Sequence, residues 1–501
     1  MKSWDGPIAV LDLDVRAIET IESPLPIISD QYRSARVLLR WADRPIGIVD
    51  IPVHGGALDA QSLQTAIAER GRDIEREQLR RLLVDADNDD LRASKLSITA
   101  AICTRNRPED LALTLASLLK QSRVAEILVV DNAPSDNRTA ELVNTAFPTV
   151  RYVREPRQGL DWARNRAIAE STTDILAFID DDAVADERWL ELIVRVFLAD
   201  SSVGVVTGLV MARELEHEAQ ADFESMGGFR RGFARKWGIP CPKDGQWLAG
   251  HLTGIGNFGV GTNLSFRRSV FDFVGGFDPA LDAGTITGGA GDLEMMFRSV
   301  KAGWTIVYEP AAIVWHRHRR TRTELAKQLH ANGAVFGFLR ATKDRFPDEV
   351  DAVRFVQRWV VRHHSIRLVK SLVGKADGEK DLVWAEIRGY FDALLHRRYR
   401  QSQRQALTRS KAYSTLTTVP LRTMSRPVPV RPADTDSSVV VALRLDEALP
   451  DMLSCSFART VTFELSDCHG VPKGTVRIAN QHHDLSKEQI ADAVTDWLIP
   501  R

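Results

Sequence analysis

Short apolar runs alternate with stretches of helical spacing through the middle of the chain, from Leu96 to about residue 340. The run Leu96–Cys103 is followed by leucines that recur every three or four residues, and similar pairs of segments repeat along this region. Alternating strands and helices predict an α/β fold, a parallel sheet with helices on both faces. Ligands of such sheets bind beyond the carboxyl ends of the strands, so the residues there are the first candidates for chemistry.

Polar residues stand at the ends of several of these apolar runs. The segment Thr104–Arg107 follows the first run, and Asp131 follows the second. The most informative cluster is Asp180–Asp182, which directly follows the buried-strand pattern Ile175–Ile179. Because carboxylates in a row repel one another, such a triplet is stable when it is solvated or binds a cation.

The spacing within the triplet favours one bound divalent ion. Residues i and i+2 of an extended chain point the same way, so Asp180 and Asp182 can share an ion while Asp181 points elsewhere. Hard oxygen ligands suit Mg²⁺ or Mn²⁺, which usually bind together with the phosphates of a substrate. A solvated acidic turn is the alternative for the triplet taken alone.

Two small α+β modules flank the centre, and they share a pattern of strand, Pro/Gly turn, strand and short capped helix. We place the first module at 1–92, the central domain at 93–340, a basic helical segment with a Pro-rich linker at 341–432, and the second module at 433–501. The pattern predicts a duplicated module, with chance similarity of two common units as the alternative. Neither module carries an obvious catalytic cluster, so we expect them to pack or to bind partners.

Composition narrows the class of protein further. The chain has 501 residues and a net charge of -1, which argues against nucleic acid as a partner. Its four cysteines lie far apart without a C-x-x-C pair, so we expect reduced thiols in a cytoplasmic protein. The first residues lack the apolar core of a signal peptide, and no run of about 18 apolar residues predicts a membrane-spanning helix.

The polar clusters follow one another in an order that resembles the family 2 glycosyltransferases. The segments that carry the resemblance are Cys103–Pro108, Val129–Asn132, Asp180–Asp182, Gly261–Arg268, Gly275–Asp278, Gly291–Arg298 and Trp315–His316. The resemblance covers about residues 96–340 and implies the GT-A fold, a nucleotide-binding α/β sandwich with a mostly parallel central sheet. A C-terminal helical segment and the two end modules would then surround it.

The resemblance implies an inverting, metal-dependent enzyme that moves a sugar from a nucleotide-diphosphate donor to a glycan or lipid-linked acceptor. Cell-surface polysaccharide or glycolipid biosynthesis is the expected setting. Two alternatives are a catalytically silent scaffold that binds nucleotide-sugars and a nucleotidyltransferase. The second would be expected to carry a Gly-rich, basic triphosphate loop near the first strand, and Thr104–Pro108 is not such a loop.

By resemblance, one set of residues holds the donor. These residues are Thr104, Arg105, Arg107, Asp131, Arg164, Asn165, Asp180 and Asp181. An aspartate can accept a hydrogen bond from a base imide N–H, and an arginine can stack on the base. A solvated arginine at a helix start is the alternative for Arg107, and bracing of the neighbouring loop is the alternative for Arg164 and Asn165.

By the same resemblance, the metal site consists of Asp180, Asp182 and His316. A neutral imidazole suits Mn²⁺ as a borderline ligand, and Mg²⁺ is the other candidate ion. His318 is the less favoured ligand of the pair of histidines. The alternative for His316 is a structural role, which is the usual one for a single histidine.

Asp292 is the expected general base, because the family's usual motif is Glu-Asp-x-Asp followed by an arginine. Gly291 stands where the motif has its glutamate, which leaves the role of that carboxylate open. A helix start favours the ionised carboxylate of Asp292, and helix capping is the alternative role. We expect Glu294, Asn263 and Trp304 on the acceptor side.

A basic stretch follows the central domain. Residues 311–430 carry 24 Lys and Arg against 10 Asp and Glu, an excess of 14 positive charges. Valines interleave with arginines there, a pattern that allows peripheral contact with an anionic membrane at its inner face. A helical subdomain with solvated basic residues is the slightly favoured alternative, and the sequence does not indicate an oligomeric state.

Overall fold

The structure describes most of the 501 residues. The computed structural model describes residues 4–18, 29–84, 95–238, 252, 254–372, 380–395, 398–424, 438–445, 447–455, 458, 460–479 and 484–500.

The N-terminal module is a four-stranded sheet with helices after it. Its strands are β1 (Ile8–Asp14), β2 (Ser34–Trp41), β3 (Arg44–His54) and β4 (Ala57–Leu58), and its helices are α1 (Val15–Ile18), α2 (Ala60–Ala68) and α3 (Gly71–Val84). β1 runs parallel to β2, and β2 pairs antiparallel with β3. Helix α2 begins at Asp59, whose side chain accepts from the backbone N–H of Ser62 at 2.8 Å.

A nine-stranded sheet forms the central domain. Its strands are β5 (Ile98–Thr104), β6 (Glu126–Asn132), β7 (Arg151–Glu155), β8 (Ile175–Asp180), β9 (Ala183–Ala185), β10 (Val203–Ala212), β11 (Lys236–Gly238), β12 (Asn263–Arg267) and β13 (Thr305–His316). Its helices are α4 (Pro108–Leu118), α5 (Arg138–Ala146), α6 (Leu160–Glu170), α7 (Trp189–Ala199), α8 (Glu218–Ser225), α9 (Val270–Val274) and α10 (Gly291–Lys301).

The strands lie in the order β11-β13-β10-β12-β8-β5-β6-β7, with β9 paired to β13. The adjacent strands β8, β5, β6 and β7 are parallel to one another, and β10 is parallel to β13. Strand β12 is antiparallel to both of its neighbours, β10 and β8. The expected α/β fold with a central sheet is therefore confirmed, but the sheet is mixed, because β11, β12 and β9 pair antiparallel with their neighbours.

Apolar layers cover both faces of this sheet. One layer contains Phe178, Phe266 and Phe277, whose rings meet edge to face at centroid distances of 5.7 to 6.3 Å. The other layer contains Trp189 and Phe197 of α7. Burial on both faces explains why the strands are continuous apolar runs rather than alternating ones.

The last long strand of the sheet differs from its predicted form. The sequence pattern shows a strand at Thr305–Val307 and a separate apolar run at 311–315, whereas β13 is one strand. Its pairing with β10 jumps between Gly208 and Leu209, where partners Glu309 and Ile313 leave a bulge. A Cβ on Gly208 would lie 2.0 Å from the Ala312 carbonyl oxygen, so the close approach requires glycine.

Helices follow the central domain and pack against it. They are α11 (Arg322–Ala331), α12 (Val335–Arg345), α13 (Val350–Leu372), α14 (Lys380–Leu395) and α15 (Arg398–Ala412). Phe297 of α10 packs edge to face on Phe338 of α12, and α12 runs through the boundary expected at residue 340. Within the described residues, none of the helices combines the length and the apolar character needed to cross a membrane.

The C-terminal module repeats the strand directions of the N-terminal one. It contains β14 (Ser438–Arg444), β15 (Met452–Leu453), β16 (Thr460–Ser466), β17 (Pro472–Ala479), β18 (Leu485–Ser486) and α16 (Lys487–Leu498). β14 is parallel to β16, and β16 is antiparallel to β17. Its helix α16 also begins at a capping residue, Ser486. The two modules share these strand directions, and their duplication stays a prediction.

The two end modules contact each other. Leu83 of α3 belongs to the same apolar cluster as Val461 and Phe463 of the C-terminal module. Arg80 of α3 pairs with Glu488 and Asp492 of α16, and Arg235 beside β11 pairs with the same Glu488. The two modules therefore pack against each other and contact the central domain beside β11.

Candidate active site

Strand register brings the predicted donor residues to one edge of the sheet. Thr104 at the end of β5 is the partner of Asp131 at the end of β6, and Cys103 is the partner of Asp180 at the end of β8. Because the three strands are parallel, their carboxyl ends lie side by side. Residues from three separate apolar runs thus form one polar surface.

The pairing of β9 with β13 brings His316 next to the acidic triplet. After β8 the chain turns at Asp181 and Asp182 and enters β9, which pairs antiparallel with the end of β13, so that Ala183 lies opposite His316. The backbone N–H of Arg317 donates to the Asp182 carbonyl oxygen at 3.0 Å. The end of the last strand is thereby fixed against the triplet.

Asp180, Asp182 and His316 form a group that can hold a metal ion. One ligand atom from each lies within 4.8 Å of the others. His316 Nε2 is 3.0 Å from Asp182 Oδ1, and Thr262 Oγ1 donates to Asp180. Two carboxylates and one imidazole make a donor set of the kind that Mn²⁺ or Mg²⁺ accepts, so the residues fit the expected ion.

Neighbouring groups orient the imidazole of His316 and favour the ionised form of Asp182. His316 Nδ1 lies 3.4 Å from His318 Nδ1, and His318 Nε2 lies 2.9 Å from Glu224 Oε1. His318 is buried and contacts Glu224, which agrees with the expectation that His316 is the better metal ligand of the two histidines. Although burial opposes it, the neighbouring His316 and Arg107 lower the pKa of Asp182.

Asp181 lies in the turn after β8 and has its own hydrogen-bond partners. Its carboxylate accepts from Thr104 Oγ1 at 2.7 Å and from Arg107 Nη1 at 3.2 Å. Burial raises the pKa of Asp181 to about 6 against the opposing effect of Arg107. The same Arg107 nitrogen donates to Asp182 Oδ2 at 3.1 Å, so Arg107 bridges two carboxylates while its side chain stays 41% exposed.

Asp131 keeps one carboxylate oxygen available. The residue is buried, and Oδ2 accepts from the Tyr152 hydroxyl at 2.7 Å. Oδ1 is buried without a hydrogen-bond partner in the described part of the chain. Burial raises the pKa of Asp131, and a buried acceptor of this kind is satisfied by an added N–H donor. Arg105, in the loop after β5, is exposed.

Asp292 lies at the start of α10, held by two backbone donors. The N–H of Gly261 donates to Oδ2 and the N–H of Leu293 donates to Oδ1, each at 2.8 Å. Burial and the nearby charge of Asp282 raise the pKa of Asp292, while Arg164 opposes the shift. An aspartate with a raised pKa is a better proton acceptor than an ordinary one.

Arg164 and Asn165 brace the structure around them, which is the alternative to donor contact for both residues. Arg164 is buried and donates to Asp161 Oδ1 at 3.0 Å and to Asp282. The Asn165 amide exchanges two hydrogen bonds with the backbone of Phe277, at 2.7 and 2.9 Å. Their polar atoms are used inside the protein, because α6 packs directly under the segment that contains Phe277.

The three residues expected on the acceptor side are buried in this structure, and their role towards an acceptor stays a prediction. Asn263 is buried, where it accepts from Trp189 Nε1 at 2.9 Å and donates to the Ala312 carbonyl at 2.8 Å. Glu294 is buried and paired with Arg298 and Arg345.

Trp304, the third of these residues, lies at the end of β13 that is far from the metal group. It directly precedes β13, whose other end carries His316, so the length of the strand separates it from the metal group. Its side chain is 3% exposed and packs against Phe273. A Cβ on Gly204 would lie 2.7 Å from the Trp304 ring, which shows how closely β10 covers it.

Several residues of the site escaped prediction. Thr262 and Glu224 contact the metal group and its histidine pair, and Asp161 and Asp282 surround Arg164. Thr262 lies within the Gly-Thr-Asn marker and was open to prediction, whereas an isolated aspartate on a helix or in a loop carries no local signal.

A cavity of about 310 Å³ lies beside the Gly-rich loop that leads to Asp292. Residues from the loop and from the following helices line it, among them Thr287, Phe336, Arg340, Leu394, Arg398 and Tyr399. An apolar slot shares Phe336 and Leu394 with this cavity and is otherwise lined mainly by apolar residues of α13 and α14. Arg340 pairs with Asp344 and Arg398 with Asp392, so the cations in the wall are partly balanced.

Residues 99–272 match the model of the family described as glycosyl transferase family 2. This segment of the central domain is therefore similar to glycosyl transferase family 2. Its glucosyl-dolichyl phosphate glucuronosyltransferase relative from Haloferax volcanii is 26% identical over 245 residues, which cover 46% of this chain and 71% of the relative. A pre-mycofactocin glycosyltransferase from Mycobacterium tuberculosis is 26% identical over 295 residues, which cover 56% of this chain and 58% of that relative.

Among solved structures, a mannosyltransferase from Pyrobaculum calidifontis, described as a complex with GDP-Man and Mn²⁺, aligns with a TM-score of 0.38. It is 17% identical, and the alignment covers 70% of this chain and 98% of that chain. A likeness at this level says nothing about the ligands of this chain.

Proposed function

We propose that this protein is an inverting, divalent-cation-dependent enzyme that moves a sugar from a nucleoside-diphosphate donor to an acceptor hydroxyl. The observation that carries the proposal is the grouping of Asp180, Asp182 and His316 at the sheet edge that also holds Asp131. An ion bound by these three residues would neutralise charge on the diphosphate leaving group. Asp131 would accept from the base through its free Oδ1.

The chemistry is one direct displacement. The acceptor oxygen forms a bond to the anomeric carbon as the bond from that carbon to the diphosphate oxygen breaks, and the electron pair leaves with the nucleoside diphosphate. Asp292 takes the proton of the acceptor hydroxyl during the attack. Backbone donors from Gly261 and Leu293 fix its carboxylate for this transfer. No covalent bond to the protein is needed, so an α-linked donor gives a β-linked product.

We further propose a lipid-linked or glycan acceptor. The cavity beside the Gly-rich loop combines arginines with an adjoining apolar slot, a combination that suits an anionic head group attached to an apolar chain. If this is correct, Arg398→Gln should raise KM for a lipid-linked phosphate acceptor and leave KM for the donor unchanged. Equal effects on a free oligosaccharide acceptor would contradict the lipid-linked assignment.

Peripheral contact with a membrane is the third part of the proposal. Helix α13 exposes Phe355 and Trp359, which are 55% and 52% exposed, beside the exposed Arg354, Arg358 and Arg362. Aromatic rings and cations on one exposed surface match an anionic lipid interface. We expect sedimentation with vesicles that contain anionic phospholipid and weaker sedimentation with Phe355→Ser/Trp359→Ser. Equal sedimentation of the wild type and the variant would contradict the proposed membrane contact.

Asp292→Asn provides the test of the mechanism. The variant should still bind the nucleoside diphosphate with metal, because Asp292 is separate from the metal group, and it should lose transfer. The anomeric configuration of the product, measured by NMR coupling constants, should be opposite to that of the donor. Retention of configuration, or full transfer by the variant, would refute the proposed displacement.

A further inference from the structure

Gly291 has no room for a side chain, because the carboxylate of Asp161 occupies the space beside it. A Cβ built on Gly291 would lie 2.0 Å from Asp161 Oδ2 and 2.8 Å from Oδ1. Gly291 is the first residue of α10 and directly precedes Asp292, and its φ is not in the left-handed region. The glycine is therefore required by the neighbouring carboxylate and not by its own backbone conformation.

Asp161 is joined to the surroundings of Asp292 through one arginine. Its Oδ1 accepts from Arg164 Nη1 at 3.0 Å, and its Oδ2 is buried without a hydrogen-bond partner among the described residues. The other terminal nitrogen of Arg164, Nη2, would lie 2.6 Å from a Cβ on Gly261. The N–H of that same Gly261 donates to Asp292 Oδ2 at 2.8 Å.

We propose that Asp161 supplies from helix α6 the carboxylate that position 291 lacks, and that it positions Asp292 through Arg164. The inference rests on the proposed function, since it concerns the base of that reaction. A glutamate at 291 would place its carboxylate beside Asp292 from the same helix, whereas Asp161 brings one from a different helix to the same space. Asp161 is a positioning residue, because it is fully buried and acts through Arg164.

The arrangement predicts that the two positions are exchangeable. Asp161→Ala should lower kcat by about 100-fold with little change in the KM for donor, because a misplaced base affects the chemical step. Gly291→Glu should also lower kcat and reduce the melting temperature, because the new side chain meets Asp161. The double variant Asp161→Ala/Gly291→Glu should recover kcat to within about threefold of the wild type, since the carboxylate returns from α10.

Two matched variants test whether the carboxylate itself is needed or only a side chain that fills the same space. Asp161→Ala/Gly291→Gln has the same shape without the charge, and Asp161→Ala/Gly291→Ala has neither. Both should stay folded and keep the low kcat of Asp161→Ala. If the glutamine variant recovers as well as the glutamate variant, or if Asp161→Ala alone keeps full kcat, the inference is wrong. A wild-type protein that transfers no sugar would instead refute the proposed function, and the inference with it.

Discussion

His316 Nε2 lies 3.0 Å from Asp182 Oδ1, although one residue ends the last long strand of the sheet and the other lies in the turn after β8. The pairing of β9 with β13 produces this contact, because it sets Ala183 opposite His316. Arg107 and Arg319 also approach Asp182, at 3.1 and 3.6 Å. Cationic and imidazole groups therefore surround the carboxylate that is the central candidate ligand.

The two neighbouring histidines should differ in their effect on metal affinity. His318→Ala removes the group that orients His316, and such outer-shell changes typically weaken metal binding by about 10–100-fold. His316→Ala removes a ligand itself and should weaken Mn²⁺ binding more than that. Calorimetric titration of Mn²⁺ into both variants measures the difference. Equal affinities for the wild type and His316→Ala would exclude His316 from the site.

The pH dependence of transfer should report the raised pKa of Asp292. Below its pKa the carboxylate holds a proton and cannot accept another, so kcat/KM should fall as the pH decreases through that value. Because burial and Asp282 raise the pKa, the midpoint should lie above the ordinary value of 3.8. Asp282→Asn removes a neighbouring negative charge and should move the midpoint to lower pH. A midpoint that moves upward would contradict the assignment of Asp292.

Asp131→Asn should weaken donor binding. The change removes the charge that a base N–H would meet, and hydrogen bonds to charged groups contribute about 1.5–3 kcal/mol. We expect KM for the donor to rise by about 10–100-fold with a smaller effect on kcat. Tyr152→Phe serves as the matched control, because it removes the other partner of the same carboxylate. A KM unchanged by Asp131→Asn would show that this residue does not contact the base.

Asn165→Ala should act on stability and leave donor binding unchanged. It strips both hydrogen bonds from the backbone of Phe277, and buried groups left without partners cost about 1–3 kcal/mol each. The free energy of unfolding from urea titration should decrease by an amount in this range. If the variant instead raises KM for the donor at unchanged stability, Asn165 does contact the donor, as the sequence had suggested.

Strand ends and the acidic triplet could be predicted because both depend on local pattern. The apolar run Ile175–Ile179 forms a buried strand, and Asp180 and Asp182 at its end belong to one group, although the chain turns at Asp181 and Asp182 and is not extended there. Side chains committed to distant partners could not be predicted. Asn263 meets Trp189, and Trp304 packs under β10, through contacts that exist only once the sheet is assembled.

Gly291 illustrates the same limit at the site itself. The sequence shows a missing carboxylate beside Asp292, but the residue that fills the space is Asp161, far away along the chain. No periodicity links the two positions. Their relation follows from the packing of α6 against the start of α10, which only the three-dimensional arrangement provides.

The measurement that tests the central claim most directly is nucleotide release from a panel of nucleotide-sugars, with Mn²⁺ and with a chelator, by the wild type and by Asp182→Ala. We predict release from one donor with Mn²⁺, loss of release with the chelator, and loss in the variant although its melting temperature is retained. Release that persists in the chelator and in folded Asp182→Ala would contradict the metal-dependent mechanism.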